Sequence, residues 1–502
     1  MRSVTFSVLA ASSIALAVGS GSASTFNVLN QFEGGIGGYT TPQPVPLFSS
    51  GAPADISGAV GMNGTSEVVT ELLNGYYGVY TSAGVPITQE TAGVFWANAL
   101  GATALSAATG GGTLTINSPQ IVYDPTSQRW FASSEISGSS NTFLVAASDT
   151  SNPGGVWSGF AVPSGGSSTT NLDTLAVNGQ NVYLNGQSAG GFTGPGAVFI
   201  AIPKAEMTAA VPSVNGYRIN TVSAGGGYIV QPVQETGSSS STEYYYSGDN
   251  PNQLSRSEMT GTSLYNYALS QGVGSAVNFT TAKATSTTAA IAQPGTAATI
   301  SAPTSALSSN LYMVNGLVWG TQVVENAAFP TLNAIRYFVI NPKTNKFVTQ
   351  GIISDTTGNI SYTNPSIAVS SSGNVVIDFS GGGTTSNLAT YVVTGSFNGS
   401  DLKLSLSAPQ VLLAATAPYK QAGSSWAQYS SIVADPTNPN DFWIFQELPD
   451  GTNPKQWDTW ITQIDPPVPG SAVAVPEPGV LPILFLGSAP LLLTLRRRKV
   501  GS

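Results

Sequence analysis

The chain has no cysteine and no histidine among its 502 residues, and only 8% of them are charged. Without cysteine no disulfide can brace the fold, so packing and sheet hydrogen bonds must hold it alone. Without histidine there is no Ser-His-Asp or Cys-His machinery, no His-ligated zinc or copper, and no imidazole acid–base group near neutral pH. Charge so far below the roughly 25% of ordinary globular domains leaves few i,i+4 ion pairs and few long helices. Basic residues are the scarcer sign, 16 against 25 acidic ones, and they form no stripe interleaved with aromatics. That balance repels phosphate backbones and argues against a nucleic-acid partner.

What is present is 56 Gly, 32 Pro and many Ser, Thr and Asn, the vocabulary of turns. Hydrophobic residues make up 41%, with 19 Phe, 19 Tyr and 8 Trp, enough apolar surface to offset chain entropy and exclude disorder. At the amino end, Met1-Arg2 is followed by a mostly apolar run from Val4 to Val18 and a small-residue exit from Gly19 to Ser24. This is the order of a secretory signal peptide over 1–23, with signal peptidase cutting after Ala23.

The carboxyl end is equally patterned. Val475-Pro476-Glu477-Pro478 precedes an apolar run from Gly479 to Leu495, and Arg496-Arg497-Arg498-Lys499 follow it. The prolines keep the entry extended, the apolar run 479–495 can enter a bilayer, and the cations stop it on the cytoplasmic side. The run falls short of the roughly 20 residues of a full span, and Pro482 and Pro490 interrupt it, which suits a transient anchor. The order resembles the PEP-CTERM sorting signal of Gram-negative bacteria, over 475–502. The resemblance implies processing by the membrane protease exosortase and a host that makes exopolysaccharide. Loss of both ends would take Arg2, the four tail cations and Glu477, moving the net charge from −9 to about −13.

Between the ends, 24–464 reads as one all-β body followed by a Pro-rich linker, 465–474, which is extended and semi-rigid. A loose unit recurs: an apolar strand, a turn on Asp-Pro, Asn-Gly or Gly-rich sequence, a second strand with Trp or Phe, then a polar loop. Seven copies fall at Ala59–Ile87, Gln120–Val162, Leu172–Pro203, Arg218–Met259, Ser309–Ile353, Ser366–Phe397 and Tyr429–Ile464. The clearest two carry Asp124-Pro125-Thr126-Ser127 before Trp130-Phe131, and Asp435-Pro436-Thr437-Asn438 before Phe442-Trp443. Seven such units fit a β-propeller-like body of about seven blades; a β-sandwich pair or a β-helix is the alternative. The paired segments Val122 to Phe131 and Val433 to Trp443 look like those of large bacterial β-propellers. Helix signals are confined to Thr91–Leu105 and Lys204–Ala210, a turn or two each.

The chemistry is thin. Gly186-Gln187-Ser188-Ala189-Gly190 matches a nucleophile-elbow pattern, yet no histidine exists to activate Ser188 and no helix follows. Glycoside hydrolysis needs only two carboxylates, and Asp124, Glu135, Asp173, Asp435, Asp441 and Glu447 are the possible partners. Asp124 and Asp435 are better explained as turn starters before proline. Asp435 to Asp441 is oxygen-rich enough for Ca²⁺ but lacks the EF-hand glycine and terminal glutamate, so no metal site is assigned. The tryptophans, spaced about one per unit, read as core packing. In a strand, Tyr244, Tyr245 and Tyr246 must place at least one ring outward, the best candidate for contact with a glycan or protein. The expectation is therefore an exported, non-catalytic protein that crosses the inner membrane transiently, is cut by exosortase, and works at the cell surface or in a polysaccharide matrix. A secreted carbohydrate-active hydrolase using paired carboxylates, and a surface-layer protein or adhesin, are the alternatives.

Overall fold

Consecutive residues in these strands point to two different apolar cores. On one strand, Val122 packs between the second and third sheets while its neighbours Ile121 and Tyr123 pack between the first and second. Side chains alternate across a strand, so a sheet buried on both faces needs near-continuous apolar sequence. The computed structural model describes residues 26–36, 54–109, 115–136, 142–163, 170–191, 194–221, 230–236, 240–250, 252–261, 268–270, 276–279, 289–302, 307, 309–421 and 426–466. Their thirty strands form seven antiparallel blades of a β-propeller, two of which join edge to edge into one nine-stranded sheet.

Blade one is Ser57–Asn63, Ser66–Leu73, Tyr76–Thr81 and Pro86–Glu90, in that order from the axis outward. Blade two is Ile116–Asp124, Arg129–Ile136, Thr142–Ser148 and Trp157–Pro163, and blade three is Thr170–Val177, Asn181–Gly191, Gly194–Pro203 and Tyr217–Thr221. In blade four, Val230–Gln234, Thr242–Asn250 and Gln253–Thr260 are followed by two short strands, Ala268–Ser270 and Ala276–Asn278, which both pair with the third. Blade five is Leu311–Val314, Leu317–Glu325, Asn333–Asn341 and Lys346–Ile353. In blade six, Ser361–Val369, Asn374–Gly383 and Ser386–Asn398 carry Lys403–Leu406 and Gln410–Ala414 on one edge. Blade seven takes Ser431–Ala434, Phe442–Pro449 and Trp457–Asp465 from the end of the body and its outer strand, Asn27–Ile36, from the beginning.

The seven inner strands form a closed ring, each next to the following one and that of blade seven next to that of blade one. Those of blades four and five come close enough to pair in parallel, Val233 opposite Leu311. An apolar cluster fills each of the seven spaces between neighbouring blades. This closure is what separates a propeller from a sandwich pair or a β-helix. The seven sequence units fall one per blade. The fourth begins later than its spacing implies: Arg218 belongs to the outer strand of blade three, and blade four starts at Val230.

The Asp-Pro turns work as their sequences require. Asp124 accepts hydrogen bonds from Thr126 N (3.3 Å), Ser127 N (3.2 Å) and Ser127 Oγ (2.6 Å), and Asp435 caps Thr437 N (2.7 Å) and Asn438 N (2.9 Å) in the same manner. Trp96, Trp130, Trp319, Trp426 and Trp443 are buried, each in the core between blades or beneath a connection. Truncating a buried Trp of this kind to Ala removes about 3–5 kcal/mol. The helices are short, Ala92–Leu100, Ala102–Ala108 and Lys204–Met207; Thr91 Oγ1 caps the first, accepting from Val94 N at 3.2 Å.

The two mouths of the ring differ. Where the inner strands begin, residues 289–302 lie across neighbouring blades as a bridge of Ile291 with Ile300. Asn333 holds Ala289 from both sides, and Gln293 does the same for Tyr419. Ile291 and Ile300 are buried against Ala54, Ile56 and Trp426, at the entries to blades one and seven. Where the inner strands end, no described residue crosses the ring. Residues 1–25 and 467–502 lie outside the described residues, and with them Ala23, Val475 to Pro478, the run 479–495 and Arg496 to Lys499. Among the described residues no helix is long and apolar enough to cross a membrane.

Candidate functional site

At the open mouth the ends of six inner strands surround a cavity of about 450 Å³. Gly58 to Val60 line it from blade one, Ile121 to Tyr123 from blade two, Gln234 from blade four, Tyr312 to Val314 from blade five, Ala368 and Val369 from blade six, and Val433 and Ala434 from blade seven. The turns that follow these strands form the rim, with Asn315, Ser370, Ser371, Asp435 and Pro436. Its floor is closed. Between Gln120, Asn310, Tyr312, Ser366 and Tyr429 no volume remains for a water-sized sphere. Tyr312 OH donates to Ile432 O (3.2 Å), Asn310 Nδ2 to Gln120 Oε1 (3.4 Å) and Tyr429 OH to Pro119 O (2.9 Å), so the floor ties blades two, five and seven together. The cavity is a blind cup, within the roughly 300–1,000 Å³ of ligand pockets.

One carboxylate faces this cup, and both of its oxygens are engaged. Asp435 Oδ1 takes the turn amides and Thr437 Oγ1 (2.7 Å); Oδ2 takes Trp443 Nε1 (3.0 Å) and Gln463 Nε2 (3.2 Å). Burial works to raise its pKa, yet these hydrogen bonds together hold it below the usual carboxylate range. Next to it, Glu67 is pushed up to about 7 by burial and by the charge of Asp435, with which it shares a hydrogen bond. Asp441 is also raised, by burial and then by Asp435 and Asp465. Two acids in contact with their pKa values driven apart form one acidic rim at the junction of blades one and seven.

A second set of carboxylates lies inside the blades. Glu71, on the second strand of blade one, accepts from Gly35 N (2.6 Å), Tyr80 OH (2.9 Å) and Thr459 Oγ1 (2.8 Å). Burial pushes it up to about 7 against those bonds. Asp55, raised to about 6 by burial, accepts from Gln428 N and Asn74 Nδ2, both at 2.7 Å. Glu243 accepts Val233 N at 2.8 Å and Glu447 accepts Ala427 N at 2.9 Å; burial raises both well above the ordinary value. Glu71 and Glu243 thus hold amides of strands in or beside their blades, while Asp55 and Glu447 hold the linker that enters blade seven.

The sequence candidates are scattered among these roles. Asp124 is buried against Lys204 Nζ at 2.7 Å, Asp435 borders the cup, Asp441 sits on the rim, and Glu135 and Glu447 are buried within blades two and seven. Asp173 lies on the inner strand of blade three. The elbow-like stretch Gly186 to Gly190 lies within a strand, without the strand-to-helix turn the motif needs. Of the three candidate tyrosines, Tyr245 and Tyr246 are buried, which leaves Tyr244 as the one with partial exposure. Both faces of that strand meet a neighbouring blade, so alternation carries neither ring to solvent. Tyr244 is half-buried, with the Arg256 guanidinium 5.1 Å from its ring centroid. Among the described residues no group of three acidic side chains is placed to hold a metal. Sequence reasoning missed Glu67, Glu71, Asp55 and the cup. Glu71 did leave a signal, as a lone acid inside Val68-Val69-Thr70-Glu71-Leu72-Leu73.

No protein-family model and no curated protein matches the chain. Solved structures do. The α-L-arabinofuranosidase Arb93A of Fusarium graminearum is similar over 81% of this chain and 92% of its own, at 10% identity and a TM-score of 0.38. The NanB sialidase of Streptococcus pneumoniae is similar over 84% and 71%, at 10% identity and 0.39. Drosophila Semaphorin 1b, extracellular domains 1–2, is similar over 88% and 87%, at 7% identity and 0.37. Likeness at this level is one of fold.

Proposed function

We propose that this chain is an exported surface or matrix protein, delivered by an exosortase-type tail, whose propeller binds polysaccharide without cleaving it. One observation carries the binding half of the reading. Asp124, Asp435 and Glu447 are each tied to turn, linker or ion-pair duties, and the open cup presents Asp435 alone, with both oxygens engaged. The delivery half rests on the ordered tail and the signal-peptide pattern. Co-sedimentation of the exported protein with host exopolysaccharide is the test, run beside a reducing-sugar assay on the same material. Retention without turnover is the expected result; a protein found equally in both fractions would refute it. Deleting 475–502 should change the compartment seen by fractionation and blotting, and unchanged localisation would remove the sorting half.

The hydrolase alternative has one observation in its favour. Glu67 near 7 beside an ionised Asp435 is the pattern of an acid and a base set apart by environment. Their direct hydrogen bond puts them closer than the roughly 5–5.5 Å or 6.5–9.5 Å that retaining and inverting glycosidases use. Turnover abolished by Glu67→Gln would establish this second reading.

A further inference from the structure

The cup is built for an uncharged ligand. Among the described residues its lining holds no Lys or Arg, so none of them would compensate an incoming phosphate, sulfate or carboxylate. Its one carboxylate is held ionised by five donors, and the Glu67 and Asp441 carboxyls stand behind it. An anion entering the cup would lose hydration and meet charge of its own sign, whereas a cation would find no carboxylate oxygen without a partner.

What remains is a mixed surface. Tyr123, Met313 and Pro436 offer apolar and aromatic faces, while Asn315, Ser370 and Ser371 bring amide and hydroxyl groups to the rim. Asn315 is fixed by its Nδ2 bond to Ser371 O at 3.1 Å and Ser370 by its hydroxyl contact with Ser372 at 2.8 Å; the Ser371 hydroxyl has no hydrogen bond within the described residues. Apolar side chains beside neutral donors and acceptors complement a pyranose, which presents a C–H face and equatorial hydroxyls. The floor bonds that join blades two, five and seven keep the cup shaped before any ligand arrives, which limits the ordering entropy of binding.

We infer that the cup at the open mouth of the ring binds an uncharged sugar unit of a polysaccharide, gripped at the rim by Asn315 and Ser371. The inference rests on the binding reading above and narrows it to one place and one ligand class. The test is calorimetric titration of the exported protein with neutral gluco-, galacto- and manno-oligosaccharides, against oligouronates of matching length. Ser371 is exposed on its turn, so Ser371→Trp fills the mouth without entering a core; Val211→Trp, at a site 83% exposed, is the distant control. At least one neutral series should bind, oligouronates at least tenfold more weakly, with Ser371→Trp lowering affinity at least tenfold and Val211→Trp leaving it unchanged. Polysaccharide co-sedimentation that survives Ser371→Trp undiminished would overturn the cup while leaving the binding reading intact. Tighter binding of the uronates would overturn the ligand class. No binding to any polysaccharide would remove both.

Discussion

Replacing Glu71 by Gln should flatten the pH dependence of stability by about one proton. The carboxyl is wholly buried, and burial raises it from an ordinary 4.5 to about 7. Between those values the folded protein keeps a proton that the unfolded chain releases, so stability falls as pH rises through the window. The stabilisation is fully present below the unfolded value and is gone once pH passes the folded one. At about 1.36 kcal/mol per unit, the shift corresponds to about 3 kcal/mol between pH 4.5 and pH 8. Glu71→Gln preserves the geometry. Its Oε1 still accepts from Gly35 N and Tyr80 OH, and its Nε2 donates to Thr459 Oγ1, which can itself donate to Gly35 O at an O···O distance of 3.2 Å. Asp55, Glu67 and Asp458 are also raised, to about 6, 7 and 7, so both proteins weaken with rising pH. The difference between their slopes isolates Glu71. Urea unfolding followed by Trp fluorescence at pH 5 and pH 8 measures it: the variant should lose about 3 kcal/mol less than the parent. Parallel losses would show that an ionised Glu71 is tolerated in place, and the reasoning fails.

The pair between Lys204 and Asp124 makes a second test. Lys204→Met leaves Asp124 buried without its cation and should destabilise by about 3–5 kcal/mol, while Lys204→Met with Asp124→Asn recovers much of the loss; equal urea midpoints for parent and single variant would refute it. Gly373 sits at φ +89° with Phe397 O where a Cβ would go, so Gly373→Ala should cost about 1–3 kcal/mol by the same measurement. In the acidic rim, carboxyl ¹³C NMR should find Glu67 titrating near 7, and Asp435→Asn should bring that midpoint down by removing the neighbouring charge. A midpoint that does not move would leave burial as the sole cause.

The blades were legible because their signals are local. Asp124-Pro125-Thr126-Ser127 and Asp435-Pro436-Thr437-Asn438 specify turns by short-range hydrogen bonds, and Trp130 and Trp443 mark the strands behind them. The site was not legible, for a related reason. The cup is made of residues from six blades, most of them ordinary strand members such as Ala59, Val314 and Ala368, and only ring closure brings them together. Glu67 and Asp435 are far apart in sequence yet share a hydrogen bond because the last blade returns to the first. For Tyr244 to Tyr246, alternation assumes a sheet with a wet face; in a blade packed on both sides two of the three rings are buried and Tyr244 keeps partial exposure.

The absence of cysteine acquires its meaning at the same junction. A ring made from one chain must be joined somewhere, and here the join is the ladder of Asn27–Ile36 on Trp457–Asp465. No covalent bond reinforces it. Instead, Glu71 reaches from blade one to Gly35 on the closing strand and Thr459 on its partner, while Asp55 and Glu447 hold the linker entering blade seven at Gln428 and Ala427. All three acids are raised by burial, so ionising them as pH rises costs stability at the join. Raising pH therefore weakens the join before it weakens blade two, whereas blade four carries a raised acid of its own in Glu243. Hydrogen exchange at pH 8 should show amides of 27–36 and 457–465 opening ahead of those in 129–136. The reverse order would mean that the ladder, and not the carboxyls, holds the ring shut.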